Sequence, residues 1–188
     1  KGLLFEEQHL ERLRTASRYF SYPFDPEILR QKIEAECQTC DANQDYRLRI
    51  SISKSGEIEV SRQILEPFSP TFCKAKLCLQ EANLQQAFTY FKTSHRPHLS
   101  LGKQETIYHN VAGELLETTI GNLVLKIAGK LYTPPIRLGI LPGIYRQHLL
   151  ETGQVEEKVL TLADLVQAEA IYGCNAVRGL YELSVKER

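Results

Sequence analysis

The 188-residue sequence has no methionine, no tryptophan and no excess of charge of either sign. Its 23 Lys and Arg residues equal its 23 Asp and Glu residues, so it lacks the basic excess that binding to a nucleic-acid backbone usually requires. It also lacks an apolar run of about 18 residues that could cross a membrane as a helix. Charges interrupt its first residues, unlike a secretory signal. The absence of methionine predicts that the chain begins inside, or after processing of, a longer gene product.

Cysteine and histidine are present in numbers and spacings that predict neither disulfides nor a metal site. The five cysteines are odd in number, and a chain of this size does not need disulfides to fold. Cys37 and Cys40 form a CxxC pair, but no second pair follows at zinc spacing. The histidines show no HxxxH or HExxH pattern. We therefore expect reduced thiols, no metal and a cytoplasmic location.

The first half of the sequence predicts a small unit that contains both helices and strands. Apolar residues at helical spacing predict a helix over about 6–20. Asp25 followed by Pro26 predicts the start of a second helix, because Asp is a favoured N-cap and Pro suits the first helical position. Strict alternation over 46–53 and again over 57–63 predicts a β-hairpin. Short strands are also expected over 2–5 and 74–80.

The second half predicts a different architecture, with several short strands separated by turns. Strand patterns cover 105–133 and 170–174, and two short helices are expected to begin near Gly143 and Thr161. The fold class is therefore α+β. We predict a small α/β sandwich over 1–90, followed by a larger, mostly antiparallel and barrel-like domain over 91–188.

The loop Leu138–Gly143 has the one pattern in this sequence that suits a phosphate group. It leads directly into a predicted helix, whose first backbone N–H groups and dipole favour an anion. The sequence contains neither a P-loop nor a GxGxxG fingerprint.

Several segments taken together resemble the class IV (fold type IV) pyridoxal-phosphate enzymes. Two of them, His9–Leu13 and Phe91–Arg96, are similar to the aminodeoxychorismate lyases of that family, in particular to the lyase domain fused behind aminodeoxychorismate synthase component I. The resemblance covers nearly the whole chain, and the order and approximate spacing of the segments are kept. The other segments are Glu117–Leu123, Gly129–Pro135, Gly139–Arg146 and Asn175–Gly179.

The resemblance implies a site for pyridoxal 5′-phosphate. Lys92 matches the lysine that binds the cofactor covalently, and Glu117 matches the carboxylate that faces the pyridine nitrogen. Tyr90 and Phe91 beside Lys92 predict a desolvated amine, which would be a better nucleophile and base. The resemblance places the phosphate contacts on Arg12, on the backbone N–H groups of Ile144 and Tyr145, and on Asn175 with Ala176.

The activity that the resemblance implies is conversion of 4-amino-4-deoxychorismate to 4-aminobenzoate and pyruvate, a step of folate biosynthesis. The substrate carries two carboxylates, and Arg47 and Arg178 are the candidate cations for them. The family further implies a homodimer, with the cofactor in the crevice between the two parts of the chain, and fusion to or association with the synthase. Two alternatives stay open: a class IV aminotransferase of the branched-chain or D-amino acid type, and a degenerate domain without catalysis.

The sequence also departs from the family pattern. Tyr145 stands where threonine is common, and so does Cys174. The interval from Lys92 to Glu117 is shorter than is usual, and Pro97 falls where a helix normally begins. The family's substrate contacts just after the lysine therefore have no counterpart that we can assign.

Overall fold

A computed structural model describes residues 3–69, 72–80, 87–99, 102 and 104–185 of the chain. These residues belong to two compact units, Lys1–Pro67 and Phe68–Arg188. No helix within the described residues is long and apolar enough to cross a membrane.

The first unit is a pair of helices with a β-hairpin, as the sequence predicts. The hairpin strands are antiparallel and in continuous register, and one face of the hairpin packs with both helices around buried Leu10, Leu29, Ile33 and Ile58. The Asp25 side chain accepts hydrogen bonds from two backbone N–H groups of the second helix, which confirms the predicted N-cap. The elements are α1 (Glu6–Phe20), α2 (Pro26–Gln38), β1 (Tyr46–Ile52) and β2 (Ile58–Ile64).

The strand predicted over 2–5 does not form in the part of it that the structure describes. Leu4 and Phe5 lie in a turn, and Phe5 has a left-handed backbone (φ 56°) that leads directly into α1. Leu3 packs against the buried cluster of the first unit. Its apolar character therefore serves packing and not strand pairing. Gly2 lies outside the described residues.

The second unit is built around a six-stranded barrel, which agrees with the predicted fold class. The strands follow the order β5-β4-β3-β10-β9-β6, and pairing of β5 with β6 closes the ring. The ring contains six strand pairings. Four of them are antiparallel, and the two pairings of β3, with β4 and with β10, are parallel. The elements are β3 (Lys74–Leu79), α3 (Ala87–Tyr90), β4 (Thr106–His109), β5 (Leu115–Thr118), β6 (Asn122–Ile127), β7 (Lys130–Thr133), a 3₁₀ turn (Ile136–Leu138), α4 (Ile144–Glu151), β8 (Glu156–Glu157), α5 (Leu162–Gln167), β9 (Ala170–Asn175) and β10 (Gly179–Val185).

The division between the units falls earlier than the sequence predicts, at Pro67 and Phe68 rather than near residue 90. The cause is β3, which the sequence assigns to the first unit. β3 pairs with β4 on one side and with β10 on the other, so it is an integral strand of the barrel. Both pairings join segments far apart in the chain, and local pattern does not reveal them.

The sequence analysis does not predict strand β10, although buried and exposed residues alternate along it. Tyr181 and Leu183 are buried, while Glu182 and Ser184 between them are exposed. The two buried residues pack with Leu123 and Leu125 of β6 and with Ala75 of β3. β10 therefore fills the barrel interior and completes the ring.

Candidate active site

The carboxyl group of Glu117 lies on β5 and is almost fully buried, with 2% of the residue exposed. Its Oε1 accepts a hydrogen bond of 2.9 Å from Nη2 of Arg96. The backbone N–H of Leu141 donates to Oε2 at 3.4 Å. A buried acid with one cationic partner is typical of functional sites.

Burial raises the pKa of Glu117 to about 7, because removal from water disfavours the charged form. Three groups oppose this rise: the positive charge and hydrogen bond of Arg96, the N–H of Leu141 and the positive charge of Lys92. Glu117 can therefore change its protonation state near neutral pH. Lys92 lies close enough for its positive charge to lower the pKa of that carboxyl group.

Lys92 itself does not meet the expectation of a desolvated amine. It follows α3 in an irregular segment, and its side chain is exposed, whereas Tyr90 and Phe91 are only half-buried. Lys92 therefore remains exposed to solvent beside its two aromatic neighbours in sequence. What the structure provides for Lys92 is its charge near Glu117.

The segment that leads into α4 is attached to the same edge of the barrel. Asn122, directly opposite Glu117 on β6, donates from Nδ2 to the carbonyl oxygen of Leu141 at 2.8 Å. A Cβ added to Gly143 would lie only 2.0 Å from Oδ1 of Asn122. Glu117 and Asn122 therefore hold both backbone polar groups of Leu141, and only glycine fits at position 143.

Helix α4 begins at Ile144, and its N-cap residue Gly143 offers no side chain to the first turn. The N–H groups of Ile144 and Tyr145 are among those that a helix cannot satisfy within itself. Such uncapped groups together with the helix dipole favour an anion. The predicted phosphate contacts at these two residues fit this geometry.

The turn after β9 lies beside the start of α4. The Oδ1 of Asn175 accepts hydrogen bonds from the backbone N–H groups of Val177 (3.0 Å) and Arg178 (2.9 Å). A Cβ added to Gly179 would lie 3.4 Å from the hydroxyl oxygen of Tyr145. The barrel thus brings together the two segments that carry Ile144, Tyr145, Asn175 and Ala176, while the side chain of Asn175 stabilises its own turn.

Arg178, a candidate for binding a substrate carboxylate, is half-buried. Its guanidinium carbon lies 4.3 Å from the centre of the Phe68 ring, a cation–π contact. Phe68 also stacks on Phe72 and meets the edge of Tyr181. Arg178 is therefore held against an aromatic cluster of the second unit.

The other two predicted arginines belong to the first unit. Arg12 lies on α1, with Nη2 3.3 Å from Nδ1 of His9, and burial lowers its pKa to about 10. A partly desolvated arginine of this kind is suited to binding an anion. Arg47 is exposed on β1, where it pairs across the hairpin with Gln63.

Two residues next to Glu117 received no role from the sequence. Arg96 lies within the segment Phe91–Arg96, but its partner is 21 residues further along the chain. Asn122 stands in the segment Glu117–Leu123, but its contact with Leu141 depends on the closure of β5 onto β6. Both contacts join separate elements, so no local sequence signal identifies them.

The model of one protein family, described as amino-transferase class IV, matches residues 1–184. The chain belongs to the class IV aminotransferase family. One similar relative of this family is an aminodeoxychorismate lyase of Saccharomyces cerevisiae, which is 23% identical, with 98% of this chain and 68% of the yeast protein covered.

Solved structures that are named as aminotransferases share the fold. A Mesorhizobium loti structure named "Putative amino-acid aminotransferase" has a TM-score of 0.82 and 27% identity, with 96% of this chain and 91% of that chain covered. A hypothetical aminotransferase of Mycobacterium tuberculosis in its PLP-bound form has a TM-score of 0.73 and 18% identity, with 98% and 77% covered.

The class IV aminotransferase family consists of pyridoxal-phosphate enzymes. The second unit of this chain has groups that suit this cofactor. Glu117 is a buried carboxyl group near a lysine. The start of α4 lacks a side-chain cap, and glycine is required there by Asn122. The residues therefore fit a ligand that carries a basic ring nitrogen, a carbonyl group reactive towards lysine and a phosphate.

Proposed function

We propose that the protein is a pyridoxal-phosphate-dependent lyase that converts 4-amino-4-deoxychorismate to 4-aminobenzoate and pyruvate. The observation that carries this proposal is the buried Glu117 carboxyl group, with Lys92 acting on it, in a chain of the class IV family. The yeast relative named aminodeoxychorismate lyase, which aligns over 98% of this chain, favours the lyase reaction.

The cofactor phosphate is expected to bind the N–H groups of Ile144 and Tyr145 at the start of α4. The turn at Asn175 and Ala176 supports this assignment, because it lies next to Tyr145. Arg12 is assigned to the same phosphate by resemblance, and its lowered pKa and half-buried position suit a cation that binds an anion. A planar guanidinium donates to phosphate in a fixed fork.

When bound, the cofactor supplies an electron sink that stabilises negative charge on the substrate carbon bearing the amino group. The Nζ of Lys92 would hold the cofactor covalently and, once released, would take up the proton from that carbon. Glu117 would face the pyridine nitrogen and favour its protonated form. The Nζ of Lys92 would then return that proton to the enolpyruvyl group, which leaves as pyruvate when its carbon–oxygen bond to the substrate ring breaks and the ring becomes aromatic. Arg178 and Arg47 are the proposed partners of the substrate carboxylates.

An aminotransferase is the second candidate, because the Mesorhizobium loti structure with 27% identity has an aminotransferase name. Both reactions require the same cofactor contacts, so the fold does not separate them. Products do separate them. The purified protein with pyridoxal phosphate should form 4-aminobenzoate and pyruvate from 4-amino-4-deoxychorismate. Formation of a new amino acid from an amino acid and a keto acid, without 4-aminobenzoate, would support the aminotransferase.

The attachment of the cofactor is tested separately from the reaction. Adding pyridoxal phosphate should produce a visible absorption band, and borohydride reduction followed by peptide mapping should label Lys92. Lys92→Ala should lose the band, whereas Lys130→Ala, which removes an exposed lysine paired with Glu156, should keep it. Absence of the band in the unaltered protein would support the degenerate domain, and labelling of another lysine would overturn the assignment of Lys92.

A homodimer, fusion to or association with aminodeoxychorismate synthase, and a cytoplasmic location belong to the same proposal. They rest on the resemblance to aminodeoxychorismate lyases. Sedimentation analysis of the purified protein measures its oligomeric state directly, and a monomer with full activity would contradict the proposed dimer.

A further inference from the structure

The ion pair between Arg96 and Glu117 involves the same carboxyl group that the proposed function places against the pyridine nitrogen. Arg96 donates from Nη2 to Oε1 of Glu117 at 2.9 Å, and only 14% of its side chain is exposed. On its other side the same Nη2 lies 3.5 Å from Nε2 of His98. The Nε of Arg96 is buried and has no hydrogen-bond partner among the described residues. Arg96 is therefore fixed between an imidazole and the buried acid.

The charges that act on Glu117 come from two residues, Arg96 and Lys92. Lys92 is exposed, and under the proposed function its amine binds the cofactor covalently and so does not remain an ammonium ion. Only 14% of the Arg96 side chain is exposed, and its guanidinium cannot lose its proton in a protein. His98 has its pKa lowered, first by burial and then by Arg96 and His95, so it does not compete as a cation at neutral pH. Arg96 is thus the one permanent counter-charge for Glu117 among the described residues.

We propose that Arg96 is a positioning residue whose guanidinium keeps Glu117 ionised, so that the shared proton stays on the pyridine nitrogen. This rests on the proposed function. The physical reason is a competition for one proton between a ring nitrogen and a buried carboxylate. Burial makes the carboxylate more basic, and the adjacent guanidinium makes it less basic. Without Arg96 the proton moves to the carboxyl group, and the ring nitrogen becomes neutral.

The first test needs no cofactor. The carboxyl carbon of Glu117 is followed by NMR as pH changes, and its signal is assigned by its absence in Glu117→Gln. In Arg96→Gln we expect the pKa of Glu117 to rise by about one unit or more, which is at least tenfold in proton affinity. Arg137→Gln, which removes an exposed arginine of the same unit, should leave the pKa of Glu117 unchanged. An unchanged pKa in Arg96→Gln would overturn the proposal.

The second test follows the ring nitrogen directly in protein loaded with ¹⁵N-labelled pyridoxal phosphate. The ¹⁵N shift should report a protonated nitrogen in the unaltered protein and a neutral one in Arg96→Gln. A nitrogen that stays protonated in Arg96→Gln would overturn the proposal. A protein that binds no cofactor would overturn the proposed function instead, and the cofactor-free titration would still decide whether Arg96 controls Glu117.

Arg96→Lys keeps the experiment decisive even where Arg96→Gln fails to fold. Lysine retains the positive charge but lacks the planar guanidinium, whose Nη2 contacts both His98 and Glu117. We expect a pKa of Glu117 above that of the unaltered protein, and partial retention of the protonated ring nitrogen. A Glu117 pKa identical to that of the unaltered protein would show that charge alone matters, and would contradict a positioning role for the guanidinium.

Discussion

At the scale of single residues, the burial of Glu117 has a consequence for stability that can be measured without cofactor. Its pKa is raised from 4.5 to about 7 in the folded state. Between these values the folded protein holds a proton that the unfolded chain releases, so the stabilising contribution is present below pH 4.5 and is lost as pH rises to 7. The size of this loss is on the order of 3 kcal/mol, from about 1.4 kcal/mol per unit of pKa.

We predict that Glu117→Gln removes this pH dependence. The free energy of unfolding of the unaltered protein should fall, relative to that of Glu117→Gln, as pH rises from about 4.5 to 7. Urea unfolding at several pH values measures the difference. Glu182→Gln, on the exposed face of β10, is the control. Its free energy of unfolding should depend on pH in the same way as that of the unaltered protein. A constant difference between the Glu117→Gln and unaltered proteins would contradict the raised pKa.

Glu117→Gln should also separate cofactor binding from catalysis. A neutral amide cannot hold a proton on the pyridine nitrogen, so the barrier to proton removal by Lys92 should rise. We expect a retained but shifted absorption band, with 4-aminobenzoate production lower by orders of magnitude; each tenfold loss corresponds to about 1.4 kcal/mol. Near-native turnover in Glu117→Gln would refute the proposed mechanism even if the cofactor still bound.

Arg12→Ala should act on affinity rather than on chemistry. Loss of a charge-assisted contact to phosphate typically costs about 1.5–3 kcal/mol, which is roughly ten- to a hundredfold in affinity. Arg14→Ala is a matched control, because Arg14 lies on the same helix and pairs with Glu11. Titration of each variant with pyridoxal phosphate measures the effect. Unchanged affinity in Arg12→Ala would exclude Arg12 from the site.

At the scale of elements, the start of α4 depends on one glycine. Asn122 holds the preceding segment through Leu141, and its Oδ1 occupies the space where a side chain at Gly143 would begin. The backbone φ of Gly143 is −73°, so the constraint is space and not conformation. The helix start therefore keeps its place relative to β5 and β6 only while position 143 has no Cβ.

We predict that Gly143→Ala displaces the start of α4 and weakens cofactor binding. Overfilling a packed site typically costs about 1–3 kcal/mol of stability. Gly102→Ala is the control, because a Cβ there would meet no atom of the described residues closer than 3.9 Å. Thermal unfolding gives the stability, and absorbance titration gives the affinity. If Gly143→Ala bound cofactor as tightly as Gly102→Ala, the α4 start would not contact the phosphate.

At the scale of the whole second unit, closure of the barrel is supported by a buried carboxyl group in its interior. Glu105 is completely buried. Its Oε1 accepts from the backbone N–H groups of Thr106 (3.1 Å) and Thr119 (2.8 Å), and its Oε2 accepts from the hydroxyl of Tyr181 (3.1 Å). The first donor belongs to β4, the second follows directly after β5, and the third belongs to β10. One side chain thus connects three parts of the ring.

Tyr181→Phe should destabilise the barrel, because it leaves Oε2 of Glu105 buried without that donor. An unsatisfied buried polar group costs about 1–3 kcal/mol. Tyr172→Phe removes a hydroxyl on β9 that has no hydrogen bond within the described part of the chain, so it should change stability little. Denaturant unfolding of both variants gives the comparison. Equal stability of Tyr181→Phe and Tyr172→Phe would show that the Glu105 network contributes nothing to closure.

The elements that the sequence predicts well are those stabilised by near neighbours in the chain. Asp25 and Pro26 begin α2, and Thr161 with Asp164 forms a capping box at α5. Alternation over 46–53 and 57–63 predicts β1 and β2, whose partners adjoin in sequence. The roles of Lys92 and Glu117 follow from the resemblance and stay predictions. The expected strand at 2–5 and the expected covering of Lys92 were wrong, because both required partners that local pattern does not specify.

The sequence by itself thus determined the local elements, the family and the candidate residues. Tertiary structure decided which strand belongs to which unit, because β3 pairs with β4 and β10, which are both distant from it in the sequence. It also decided the electrostatics of the site. The pKa of Glu117 depends on burial within the closed barrel and on Arg96, and both arise only when β5 and the segment after Lys92 meet. Helix caps and strand periods are short-range properties of a chain, whereas desolvation and ion pairing depend on what folding brings together.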